Sequence, residues 1–255
     1  MDEISYAKYL ATPKCRKFPF DGLIGWLMGK SNTPAQPSLP ESGVDPTTRE
    51  ITDSWEQIQI AINEGVHATR YQLGDTKAFT HETYGDVVMQ IVAFDADDKA
   101  DGTGKAAITW VSKDIIAMRS INDAYTETGW ENSDIRTWLR GDFYTALPDD
   151  VKTAIVEVKK TYYYNWGSSC NDTVWLLSMR EAFGYTDVES SGAEYTSFFS
   201  SDATRIKKYC GTTDGWWLRT PMVYDQYVHF AVNSNGGLGH TDVDRTVGVV
   251  FGFCM

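Results

Sequence analysis

Four aspartates, Asp95, Asp97, Asp98 and Asp101, fall within seven positions in "DADDKADGTG", beside Gly102. Hard carboxylate oxygens at such spacing are the ligands that calcium takes. The stretch lacks the order and the terminal glutamate of an EF-hand loop, and Asp with Gly is also what a tight hairpin turn requires. A turn is therefore expected, with calcium as the lesser alternative and no other cofactor. His229, His240, Asp242 and Asp244 form a second group of potential ligands, since imidazole and carboxylate suit transition metals, but their spacing fixes no coordination geometry. His67 and His81 stand alone and are expected to be structural or solvent-exposed. The cysteines Cys15, Cys170, Cys210 and Cys254 are far apart and contain no C-x-x-C, so they are expected as structural thiols with at most one disulfide. There is no glycine-rich phosphate loop, no G-x-S-x-G elbow and no H-E-x-x-H. A non-enzymatic protein is expected.

A third group is larger. "DGWWLRTPMVYDQYVHFAVNSNGG", residues 214–237, begins as a core motif and then passes into methionine, tyrosine, aspartate and histidine, residue types suited to a binding surface. In "YVHFAV" the alternation puts Val228, Phe230 and Val232 on one side and Tyr227, His229 and Ala231 on the other, the pattern of a strand with one buried face. "NSNGG" follows as a turn of residues that accept positive φ. His240, Asp242, Asp244 and Arg245 then crowd ahead of a closing apolar strand, Val249 to Phe253.

Other elements must carry these groups. "SWEQIQIAINEG" predicts a short amphipathic helix: Ser54 and Gln57 stand at capping-box spacing, Trp55, Ile58, Ala61 and Ile62 share a face, and Gly65 supplies the stop. Residues 86–116 are expected as a hairpin around the aspartate-rich loop. "NSDIRTWLRGDFYTAL" predicts a second helix, capped at Asn132 or Ser133, with Ile135, Trp138, Leu139 and Phe143 inward. A shorter helix follows Pro148, "VEVKKTYYYNW" is strand-like, and "SMREAFG" repeats the capping-box spacing at Ser178 and Glu181.

The protein has 255 residues, 42% of them hydrophobic, with 9 tryptophans, 14 tyrosines and 21 glycines, which suits many short strands and turns. The fold class expected is α+β. Residues 1–48 stand apart: "KSNTPAQPSLPESGVDPTTRE" has linker composition, and the apolar cluster from Phe18 to Met28 reads as an attachment or oligomerisation segment. One domain is expected from residue 49 to 255. Lys and Arg number 23 against 35 Asp and Glu, a net charge of −12, which disfavours nucleic acid and anionic membranes. The start "MDEISYAKYL" has no secretory pattern, and "FPFDGLIGWLMGK" is too short to span a bilayer, so a soluble protein is expected.

"GWENSDIRTWLRGDFY", "VWLLSMREAF", "WWLRTP", "VNSNG" and "GVVFGFC" resemble, in this order, a family of bacterial and phage proteins with a C-type-lectin-like fold, in the branch of the formylglycine-generating enzyme. The last forty or so residues are similar to the variable region of proteins diversified by retroelements, the class of the phage major tropism determinant. The resemblance implies a variable region at about 214–255, in which the binding residues derive from adenine-rich template codons. Val223, Tyr224, Asp225, Tyr227, His229, Gly239, His240, Thr241, Asp242, Asp244, Arg245 and Val247 are reachable from asparagine codons, whereas Met222 and Gln226 need other adenine-containing codons. These fourteen are the expected ligand-binding residues. The implied function is hypervariable recognition of a protein or glycan on a target cell, as at the tip of a phage tail fibre, with oligomerisation adding avidity. The alternatives are an invariant lectin-like adhesive domain and an enzyme of the formylglycine-generating type, for which the chain shows no closely placed cysteine pair.

Overall fold

A computed structural model describes residues 49–162, 168–187, 189 and 191–255. The proposed attachment segment and Cys15 lie outside the described residues. The described chain begins with α1 (Trp55–Asn63), where Ser54 and Gln57 form a reciprocal capping box and Trp55, Ile58 and Ala61 are buried. Gly65, at φ +70°, follows as the expected stop. The short α2 (His67–Arg70) leads into β1 (Thr76–His81) and β2 (Gly85–Phe94), and β2 pairs antiparallel with β3 (Ile108–Ser112) across the aspartate-rich loop. After β4 (Ala117–Arg119), Ser133 caps α3 (Asp134–Trp138), which continues as a π-turn over Leu139–Phe143. Ile135, Leu139 and Phe143 point into the core as their spacing predicts, whereas Trp138, expected inward with them, packs half-buried at its edge.

The remaining helices are short: α4 (Asp149–Ala154), α5 (Met179–Phe183) and α6 (Asp202–Arg205). Helix α5 carries the second expected capping box and ends at Gly184, φ +72°. The strands among them are β5 (Val158–Tyr162), β6 (Ser168–Asp172), β7 (Trp175–Leu176), β8 (Lys207–Tyr209) and β9 (Thr212–Asp214). The C-terminal part is β10 (Trp216–Met222), β11 (Asp225–Val232), β12 (Leu238–Asp242), β13 (Val247–Val249) and β14 (Phe251–Cys254).

Two five-stranded sheets result, ordered β1-β2-β3-β14-β7 and β12-β11-β10-β13-β4, with two small hairpins, β5-β6 and β8-β9. This is a mixed α+β architecture, mostly sheet. The single closing strand expected over Val249 to Phe253 is two strands: β13 belongs to one sheet, β14 to the other, and Val250 lies between them. An apolar run carries no alternation to mark such a change of sheet. β13 pairs parallel with the start of β10 at Gly248, where a Cβ would lie 2.5 Å from the Gly215 carbonyl oxygen. No described helix is long and apolar enough to cross a membrane.

A buried ionic network locks these parts together. Lys160 on β5 bonds to Asp97 in the aspartate-rich loop and, at 3.0 Å, to Glu181 on α5. Arg219 on β10 grips both Glu181 oxygens at 2.6 and 2.9 Å and donates to the Leu176 and Thr161 carbonyls. Burial by itself would raise the Glu181 carboxyl, but Arg219 and Lys160 outweigh it and hold the group down to about 2. The Lys160 ammonium also lies 3.7 Å from the centre of the Trp175 ring.

Candidate functional site

The site is built on the β10–β11–β12 meander. Met222 pairs with Asp225, so Val223 and Tyr224 form a two-residue connection that projects from the sheet. Tyr224 is 98% exposed. Behind it, Trp216, Trp217 and Leu218 are fully buried, and the two indole N–H groups donate to the Arg205 and Arg119 carbonyls at 2.9 and 2.8 Å. Thr220 accepts from the Met179 amide and donates to Glu189 at 2.7 Å. The motif that looked like core in the sequence is thus the anchored root of an exposed hairpin.

Antiparallel pairing places Val228 opposite Asp242, and the Val243 amide donates to the Tyr227 carbonyl. The Val223–Tyr224 connection and the Asp242–Val247 turn therefore meet at one end of the sheet. The loop that runs from β4 to α3 joins them there: the Asn122 amide donates to Val243, and the Asn122 side chain braces the loop through Thr126 and Thr128. This loop delivers Tyr125, whose ring stacks on Tyr227 with centroids 4.7 Å apart and planes at 19°. Tyr125 remains 53% exposed. Partial desolvation, with the charges of Asp225 and Asp242, the neighbouring Tyr227 and Asp244, pushes its phenol above the usual tyrosine range.

Met222, Val223, Gln226, Thr241, Asp242 and Val247 are half-buried around this end, and Asp225, Tyr227, Asp244 and Arg245 are exposed. His240 is exposed but sits farther along β12, opposite Phe230. Gly239 is also half-buried, and a Cβ there would meet the Asn233 side chain at 2.3 Å, which leaves a larger residue little room unless Asn233 moves. The expected exposure of His229 is corrected. It is fully buried, edge-on to Trp217 with centroids 6.5 Å apart, because β11 is an inner strand whose distal half is covered on both faces. Burial drives its imidazole down to about 4, against a weaker opposing hydrogen bond with the Leu218 carbonyl, so the ring is neutral at physiological pH. Tyr125 was missed by sequence reasoning. Its only local signal was an aromatic residue in a polar loop with no periodic partners.

The calcium alternative does not fit the aspartate-rich loop. Asp95 faces His67 at 3.4 Å, Asp98 pairs with Lys105 at 2.7 Å, and Asp101 caps the Thr103 amide at 2.9 Å. Asp97 is buried, with its oxygens taken by Lys160, Tyr195, Thr109 and the Cys254 thiol. Among the described residues no three His, Cys, Asp or Glu side chains converge as a metal site, and His229 is walled off from His240, Asp242 and Asp244. Cys170 and Cys254 are buried free thiols, and Cys210 is disulfide-bonded.

Residues 108–254 match the family model of a domain of unknown function, DUF6273. The chain belongs to that family. No curated protein and no solved structure matches it. The DUF6273 region opens at β3 and closes at β14, so it contains the whole meander and the Tyr125 loop, together with Lys160, Glu181 and Arg219 of the ionic network. Strands β1 and β2 precede it and complete the first sheet.

Proposed function

We propose that this protein is a non-enzymatic recognition protein, in which a C-type-lectin-like scaffold presents a retroelement-diversified surface to a protein or glycan on a target cell. A phage receptor-binding role at a tail-fibre tip is the setting this reading favours. The observation that carries it is the abrupt change along one hairpin, from fully buried Trp216–Leu218 to the exposed Tyr224 connection six residues beyond Leu218. Side chains outside that boundary can change at small cost to folding, because surface substitutions away from caps and networks typically move stability by less than ~0.5 kcal/mol. Tyrosine gives such a surface large contact area at low rotamer entropy.

The same boundary refines which positions vary. Met222 to Tyr227, His240, Thr241, Asp242, Asp244, Arg245 and Val247 form the diversified set, while buried His229 and Gly239, crowded by Asn233, belong with the framework. Deep sequencing of the DNA encoding residues 210–255 across a natural population tests this. Changes confined to those codons, with Trp216, Trp217, His229, Phe230 and Gly248 constant, are expected. A uniform sequence, or substitutions scattered over framework and surface alike, would refute the reading.

A further inference from the structure

The chemistry of the exposed end of the meander is one-sided. The stacked Tyr125–Tyr227 pair offers aromatic surface, and a ring face attracts a cation placed within about 6 Å of its centre. Three carboxylates, Asp225, Asp242 and Asp244, act on the Tyr125 hydroxyl. The nearby cation, Arg245, pairs with one of them, and weakly: its Nε stands 3.8 Å from Asp242, and its side chain is 69% exposed.

On β11, Gln226 Oε1 and His229 Nε2 are buried without a hydrogen-bond partner. The first is an acceptor by constitution. The second is an acceptor by tautomer: Nδ1 faces the Leu218 carbonyl at 3.4 Å, a carbonyl can only accept, and the proton therefore resides on Nδ1. By strand alternation His229 shares a face of β11 with Tyr227 but is fully buried, and Gln226 lies on the opposite face, so neither acceptor belongs to the platform. Ring faces and carboxylates together call for positive charge. An anionic ligand is repelled, and a neutral glycan leaves the carboxylate charge uncompensated.

We infer that the Tyr125–Tyr227 platform and its three aspartates dock a lysine or arginine side chain carried on a basic segment of a partner protein. The inference rests on the reading of this end of the sheet as the recognition surface, and it adds the partner's charge and a contact residue, Tyr125, outside the C-terminal region. The chain's net charge of −12 draws a basic partner toward it.

The full chain titrated with fluorescent octa-lysine, octa-glutamate and a panel of neutral glycans tests it, with circular dichroism to confirm that each variant folds. Octa-lysine is expected to bind in preference to octa-glutamate and to weaken with salt. Tyr125→Ala and the pair Asp225→Asn with Asp244→Asn should each weaken octa-lysine by about tenfold. Tyr125→Phe should retain it, and so should Glu56→Gln, a change on α1 that controls for net charge. No preference for octa-lysine, or an equal loss with Glu56→Gln, would overturn the inference. Glycan binding that depends on Tyr125 or Tyr224 without octa-lysine binding would overturn the cationic partner and leave the recognition surface standing. Population sequencing that shows a uniform meander would instead remove the diversified surface, whatever the titration gives.

Discussion

Acidification should expose the buried histidine. His229 has a folded pKa of about 4 against an ordinary 6.5, because burial penalises its charged form. Below pH 6.5 the unfolded chain binds a proton at this position that the folded chain refuses. Stability therefore falls with pH from 6.5 to about 4, by about 1.4 kcal/mol per pH unit, and levels off below it. The whole window is worth about 3 kcal/mol. The perturbation that isolates this contribution is His229→Gln, which stays neutral throughout and keeps an N–H for the Leu218 carbonyl. Urea unfolding of both proteins at intervals across this pH range gives two stability curves. All other titrating groups are common to both, so the difference between the curves should be flat above pH 6.5 and close by about 3 kcal/mol toward pH 4. Parallel curves would refute the assignment of His229 as buried and neutral, and with it the tautomer that leaves Nε2 an acceptor.

Glu181→Gln should destabilise the fold by about 3 to 5 kcal/mol, because it leaves Arg219 and Lys160 buried with one less carboxylate, and a shift in urea midpoint without a change in slope would measure it. Gly236→Ala should lower the melting temperature more than Gly102→Ala. Both sites have positive φ, with a backbone cost of roughly 1 kcal/mol, but only at Gly236 would the new methyl carbon lie 1.9 Å from a backbone oxygen, that of Asp202. Equal melting temperatures would show that the 233–237 turn is not seated on α6.

The local elements were legible because their causes are local. Ser54 with Gln57 and Ser178 with Glu181 each satisfy helix-end amides three residues away, and Gly65 and Gly184 take left-handed backbone at the stops. The α+β class, the hairpin around the aspartate-rich loop, and the division of residues 214–237 into buried root and exposed tip follow from periodicities of two or a few residues. Long-range partnerships were not legible. Asp97 meets Lys160 and Tyr195, 63 and 98 residues away, and Arg219 meets Glu181, 38 residues away, through pairings that no spacing encodes. Asp97, read as a possible calcium ligand, is instead the counterion of a buried ammonium.

His229 and Tyr125 divide most clearly between the two levels. Alternation in the sequence determined that His229 shares a face with Tyr227 and Ala231. It could not determine that this face is covered, since a period of two distinguishes the sides of a strand and says nothing of what packs against them. Tyr125 carried no periodic signal at all. Only the tertiary structure brought its loop to the end of β11, through the Asn122 amide on Val243, and so made a stacked platform from two tyrosines about a hundred residues apart. The sequence by itself determined which residues form helices, strands and turns, because those forces act over a few bonds. The tertiary structure decided which charges are buried, which histidine is neutral and which aromatic rings meet, because these depend on what the rest of the chain brings into contact.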